Sequence, residues 1–384
     1  MKIQTLNKIA KIGLDGFDGK YEICDTCENP DGILVRSASL HEMDFPASLQ
    51  AIARAGAGVN NIPLDKCAEQ GIVVFNTPGA NANAVKELAI GALFLASRDI
   101  IGGVDWAKTL TGDDVAKQVE KGKSQFVGPE IMGKKLGIIG LGAIGVLVAN
   151  AAQHLGMEVY GYDPYISLQS AWNLNHHVVK AANISEIYEK CDYICLHAPL
   201  TEETKHSINK DTIATMKDGV RILNLSRADL VNDDDMAEAL ENGKVAKYVT
   251  DFPNAKTLTM KNAIPIPHLG ASTPESEDNC AVMAVKELRE YLEYGNITNS
   301  VNYPAVSTPF NSALRICICH KNIPNILSAL SAIVSAVGVN IENLLNKSKG
   351  DYAYTIIDCN EDIGDRVVGA LQAVDGVSRV RCIR

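Results

Sequence analysis

Three apolar runs in the middle of the chain each stop on a side chain that can do chemistry. Arg227 closes RILNLSR, Asp251 closes KYVTD, and His268 follows IPIP. Open α/β sheets bind ligands in the crevice beyond the carboxyl ends of their strands. A guanidinium, a carboxylate and an imidazole converging there have the parts needed to oxidise a hydroxy acid. Imidazole, the side chain that titrates nearest neutral pH, takes the hydroxyl proton. The guanidinium clamps the neighbouring carboxylate through two N–H donors and stabilises the developing oxyanion.

That reaction needs a two-electron acceptor, and the chain has a place for one. LGIIG (136–140) runs into Gly140-Leu141-Gly142-Ala143-Ile144-Gly145 and then VLVANAAQHLG, a G-x-G-x-x-G in its strand–turn–helix setting. The glycines permit a tight turn, close approach of a pyrophosphate and packing of helix on strand. Asp163 stands 23 residues beyond Gly140, where its carboxylate hydrogen-bonds both ribose hydroxyls and repels a 2′-phosphate. The expected cofactor is therefore NAD rather than NADP.

These side chains need a scaffold. From about residue 20 to 130 apolar runs (GILVRSA, IVVFNTP) alternate with helix-like segments, the pattern of a parallel α/β unit. A second such unit, the Rossmann one, begins at LGIIG and continues through EVYGYDP, YICLHAP, RILNLSR and KYVTDFP. Thr273-Pro274 opens a long amphipathic helix to Tyr294 that carries the chain back to the first unit. NYPAVSTPF (302–310) reads as a linker, and the last seventy or so residues give βαββαβ, a ferredoxin-like module.

Composition excludes several functions. A formal charge of −10 over 384 residues argues against a nucleic-acid or anionic-membrane surface. No apolar run is long enough to span a bilayer, and no charged start with an apolar core precedes the first unit. The ten cysteines are scattered, mostly within apolar strands, and read as small buried hydrophobes in a reducing cytoplasm. Cys24 and Cys27 form one lone C-x-x-C without a second pair, so no metal is expected.

RAGAGVNNI, FNTPGANANAVKELAIG, LGIIGLGAIG, LHAPLTEETKHSIN, NLSRADLV and PHLGAST together resemble the D-2-hydroxyacid dehydrogenases over nearly the whole chain. The resemblance implies a Rossmann NAD-binding domain (91–271) inserted in a flavodoxin-like substrate domain (1–90 and 272–300). It also implies a C-terminal ACT-like regulatory domain (311–384). Gly140, Gly142, Ala143, Ile144, Gly145, Asp163, His197, Ala198, Pro199, Thr204, Leu225, Ser226, Asp251 and Gly270 would line NAD. Arg227 would bind substrate, and His268 would be the general acid/base. The turn Ala57-Gly58-Val59 would hold the substrate carboxylate through backbone amides, with Asn81 nearby. Arg36 and Arg54, at the ends of successive strands, would meet a distal phosphate, and Lys123 would reach it from a partner subunit.

The resemblance implies D-3-phosphoglycerate as the substrate and 3-phosphohydroxypyruvate as the product, the first step towards serine. Glyoxylate or 4-phosphoerythronate chemistry, and a non-catalytic NAD-sensing corepressor, remain the alternatives. A homodimer or homotetramer is expected. His320, Asn322 and Asn340 match an L-serine effector site, although Asn325 stands where relatives carry glycine. One departure concerns the histidine's partner. Where relatives have Glu-Pro, this chain reads DFPNAKTLTMKN, without a glutamate. Asp251 is the favoured partner; Glu275, Glu277 and an unpaired histidine are the other readings.

Overall fold

The computed structural model describes residues 1–384 and divides into two compact units, Met1–Asn81 with Pro274–Arg384, and Ala82–Thr273. In the first unit β1 (Lys2–Leu6), β2 (Glu22–Cys24), β3 (Gly32–Val35), β4 (Ala51–Arg54) and β5 (Val73–Phe75) form a parallel sheet in the order β2-β1-β3-β4-β5. That is the flavodoxin-like order. In the second unit β6 (Lys135–Ile139), β7 (Glu158–Tyr162), β8 (Val179–Lys180), β9 (Tyr193–Leu196), β10 (Val220–Asn224), β11 (Val245–Thr250) and β12 (Ala263–Pro265) form a parallel sheet in the order β12-β11-β10-β9-β6-β7-β8. The order reverses between β6 and β9, so the glycine turn after β6 sits at the switch point where such sheets bind ligands. Helices on both faces explain why runs such as Tyr193–Leu196 are buried throughout.

The expected boundary at residue 91 moves. Helix Ala82–Ser97 lies wholly in the second unit, because Ala89, Ala92, Leu93 and Ala96 pack into the core formed by Leu136, Ile138, Val159 and Val249. The chain returns through helix Pro274–Tyr294, whose Cys280, Ala284, Leu288, Tyr291 and Leu292 form one apolar stripe in the first core.

The C-terminal segment is β13 (Leu314–Lys321), β14 (Ile341–Lys349), β15 (Tyr352–Cys359) and β16 (Val377–Ile383), antiparallel in the order β14-β15-β13-β16, with helices Ile326–Ala336 and Gly364–Gln372. It is not set apart as expected. One sheet face carries Ile316, Ile318 and Ile357 against its own helices. The other carries Cys317, Cys319, Tyr354 and Ile356 into the same core as Phe75, Tyr291 and Tyr303. The expected linker is anchored as well, since buried Tyr303 donates its hydroxyl to Ala68 O at 2.7 Å.

Buried Arg315 joins Asp358 through Nε–Oδ1 (2.7 Å) and Nη2–Oδ2 (2.9 Å) and donates further to Tyr294 O (2.8 Å) and Pro309 O (2.9 Å). A buried ion pair is tolerable only when satisfied this fully. A second correction concerns Cys24 and Cys27, which are joined in a disulfide across Asp25-Thr26. The other eight cysteines are free, and seven of them are buried as expected.

Glu287 is also buried in this core, with Oε1 accepting from Asn299 at 2.5 Å and Oε2 left without a partner. Burial pushes its carboxyl up to about 7. The unfolded chain releases this proton near 4.5 while the folded chain keeps it, so the group's contribution to stability falls as pH rises from about 4.5 to about 7 and then levels off. Glu287→Gln keeps the acceptor for Asn299 and removes the buried charge. It is expected to leave the melting temperature unchanged at pH 5 and to stabilise by roughly 2 kcal/mol at pH 8. A variant less stable at pH 8 contradicts the burial argument.

Candidate active site

The three glycines of the turn serve three needs. Gly140 has φ +94°, and a Cβ there would lie 2.6 Å from the His197 carbonyl carbon. At Gly145 a Cβ would run into the Gly140 carbonyl oxygen. Gly142 caps helix Ala143–His154, and a Cβ there would meet nothing within 4 Å. That open space faces a helix N-terminus, whose free amides and positive dipole end suit a pyrophosphate. Asp163, at the end of β7, is already oriented: Oδ2 accepts from Leu141 N and Oδ1 from Tyr165 N, each at 2.8 Å. A carboxylate has further lone pairs for ribose hydroxyls. The residues present therefore fit a dinucleotide without a 2′-phosphate.

Around this turn Ser226 Oγ donates to Ala198 O at 2.6 Å, tying the loops after β9 and β10 together. Thr204 Oγ1 donates to Pro199 O at 2.6 Å, and Leu225 is buried. His197 Nδ1 is buried without a partner, and burial pushes the ring down to about 4, so it is neutral.

Asp251 follows β11 and is almost completely buried, 1% exposed, with Oδ1 lacking any hydrogen bond. Burial raises its carboxyl above the usual aspartate range, while the charges of His268 and Arg227 pull it back. No hydrogen bond or ion pair joins Asp251 to His268. The ring instead packs on Phe252, with centroids 4.9 Å apart, and is otherwise exposed. Gly270 lies beside the carboxylate, and a Cβ there would sit 3.6 Å from Oδ2 and 3.3 Å from Val85. Two positioning residues escaped the sequence reading. Asn224, buried at the end of β10, donates to Arg227 O at 2.8 Å and fixes the arginine's backbone, and Phe252 orients the imidazole. A polar residue inside the apolar run RILN was the available signal for the first.

In the first unit Arg36 and Arg54 end the neighbouring strands β3 and β4. Arg54 is partly engaged within the chain. Its Nε donates to Arg36 O at 2.9 Å and its Nη1 to Gly58 O, so it braces the 55–59 turn and keeps Nη2 in reserve. Burial, with the Arg36 charge adding to it, lowers its pKa. The amides of Ala57, Gly58 and Val59 make no hydrogen bond in the chain, which leaves three donors for an anion. Asn81, the residue before helix Ala82–Ser97, is half-buried. Glu277, one of the alternative partners for the histidine, is engaged by Arg36 at 2.6 Å.

Lys123 is 61% exposed and pairs with Glu120 at 2.5 Å. It belongs to a run of helices, Ile100–Ala107, Val115–Gly122 and Lys123–Phe126, without a single buried residue. The three effector candidates are not gathered within one chain. Asn322 follows β13, whereas Asn340 precedes β14, at the sheet end where Ile341 and Leu314 both pair with Cys359. Both ring nitrogens of buried His320 are occupied, by Lys321 O and Thr355 Oγ1, each at 2.8 Å. Asn325 has φ +67°, the left-handed region that asparagine tolerates best after glycine, which accounts for its replacing glycine there.

A family model described as "D-isomer specific 2-hydroxyacid dehydrogenase, NAD binding domain" matches residues 93–270. D-3-phosphoglycerate dehydrogenase of Escherichia coli strain K12 is 32% identical over 350 residues, 87% of this chain and 82% of that protein. The Methanocaldococcus jannaschii enzyme of the same name is 33% identical over 79% of this chain, which spans only 58% of that longer relative. Among solved structures, the NAD⁺-bound 3-phosphoglycerate dehydrogenase of Entamoeba histolytica is similar with a TM-score of 0.57 at 26% identity, covering 79% of this chain and 98% of that one. A glyoxylate reductase from Paecilomyes thermophila, at 24% identity and TM-score 0.64 over 78% of this chain and 98% of that one, shares the fold.

Because burial raises Asp251, its carboxylate takes up a proton at a higher pH than an exposed aspartate does. Turnover is therefore expected to fall on acidification as this charge disappears. Asp251→Asn mimics the protonated side chain at every pH. It should bind NADH normally, lose roughly a hundredfold or more in kcat, and show a flattened acidic limb in its kcat–pH profile. A variant with parental turnover and profile would remove Asp251 from the mechanism.

Proposed function

The chain belongs to the D-isomer-specific 2-hydroxyacid dehydrogenase family, and from that premise we propose that it oxidises D-3-phosphoglycerate to 3-phosphohydroxypyruvate with NAD. One observation carries the choice of substrate. Two guanidinium groups end adjacent strands of an acidic protein beside a turn that offers three free amides. A carboxylate suits the turn and a distal phosphate suits the arginines, whereas glyoxylate has no second anion to place there.

NAD, when bound over Gly142 and Asp163, supplies the two-electron acceptor. His268 takes the hydroxyl proton as the carbinol carbon becomes a carbonyl carbon. Arg227 donates to the substrate carboxylate and to the oxygen as it gains charge. Asp251 holds a negative charge beside the imidazole and offsets the positive charge the imidazole gains with the proton. The absence of a direct bond between them is compatible with a constellation that tightens when substrate binds.

We further propose a homodimer in which a second copy covers the helices between 100 and 126, where Ile100, Ile101 and Val104 are exposed. A serine site built from His320, Asn322 and Asn340 would require two modules side by side. Eight of the ten cysteines are free thiols, which supports a reducing, cytoplasmic setting with the Cys24–Cys27 disulfide as its exception.

The test is a substrate panel followed by NADH absorbance. Phosphohydroxypyruvate should be reduced at least about tenfold faster with NADH than with NADPH, and Arg54→Ala should raise its KM far more than it lowers kcat. Preference for glyoxylate or 4-phosphoerythronate would move the chemistry to another acid. NADH binding without turnover on any acid would favour a sensing role.

A further inference from the structure

Arg36 is fixed by the fold everywhere except at its guanidinium. Its carbonyl oxygen accepts from Arg54 Nε at 2.9 Å, and the amides of Ser37 and Ala38 donate to the Asn7 side-chain oxygen at 3.0 and 2.8 Å. The guanidinium itself has a single partner, Glu277, whose Oε1 accepts from Nη2 at 2.6 Å. Glu277 lies 241 residues further along the sequence, in the first turn of helix Pro274–Tyr294, where the positive end of the helix dipole favours a carboxylate.

The two side chains are 42% and 44% exposed, and ion pairs so open to water add little to stability. Aiming the arginine is the role that remains. A free arginine samples many rotamers, and ordering it on binding costs affinity. Held by Nη2 alone, the guanidinium is ordered in advance and keeps Nε and Nη1 free for an incoming anion.

We infer that Glu277 is a positioning residue which holds Arg36 ready for the distal phosphate and so sets the preference for phosphorylated over unphosphorylated 2-oxo acids. This rests on the proposed phosphate-binding role of Arg36. Because the effect depends on an accepting oxygen and not on charge, an amide at this position should serve nearly as well.

Steady-state kinetics with phosphohydroxypyruvate and hydroxypyruvate on the wild type, Arg36→Ala, Glu277→Ala, Glu277→Gln and the double Ala variant test it. Asp278→Asn, which removes a charge from the same helix turn, serves as the control. Glu277→Ala should raise KM for phosphohydroxypyruvate roughly tenfold with kcat within about twofold, and leave KM for hydroxypyruvate in place. Glu277→Gln and Asp278→Asn should stay near the wild type, and the double variant should be no worse than Arg36→Ala. A Glu277→Ala enzyme with unchanged KM, or with equal rises for both substrates, overturns the inference and leaves the substrate reading intact. An Arg36→Ala enzyme with unchanged KM for phosphohydroxypyruvate overturns both.

Discussion

A carboxylate buried with one oxygen unpartnered is costly, and Asp251 is such a group. Neighbouring positive charge is what makes it tolerable, and the second unit supplies it from a further strand end, with Arg227 after β10, while His268 after β12 adds to it when its imidazole carries the proton. The dependence runs both ways. The arginine's backbone is fixed by buried Asn224 and the imidazole by Phe252, so three side chains act as one electrostatic unit on one sheet edge. A parallel sheet delivers them together because every strand ends on the same side.

Much of this was legible in the sequence where the chemistry is local. The glycine turn, its helix and Asp163 lie within 24 residues, and each needs only its own strand and helix to be recognised. The strand ends at Arg227, Asp251 and His268 were likewise visible as polar stops to apolar runs. What could not be read were pairings between distant segments. Arg36 with Glu277, and the packing of Cys317 and Tyr354 against Tyr291, depend on which faces of separate elements meet. Local pattern carries no such information. β1 was missed because a five-residue run, KIQTL, offers little alternation, and Cys24–Cys27 because spacing does not distinguish a disulfide from two thiols.

The C-terminal module shows how a ferredoxin-like sheet can be bound into the first unit. Besides the Arg315–Asp358 pair, Arg381 donates to Tyr291 O at 3.2 Å and Leu292 O at 3.0 Å, so two arginines of the module cap the last turn of helix Pro274–Tyr294. Cations at a helix C-terminus satisfy orphan carbonyls and oppose the dipole. The same helix presents Glu277 to Arg36 at its other end, which gives the module a physical connection to Arg36 within one unit.

The electrostatics of Asp251 govern the site. The most direct measurement is an infrared titration of its carboxyl band, isolated by subtracting the spectrum of Asp251→Asn. The predicted result is a midpoint above the ordinary aspartate value of 3.8, moving higher again in Arg227→Gln, which removes one of the charges that hold it down. A midpoint at or below 3.8, or one indifferent to Arg227, would contradict it.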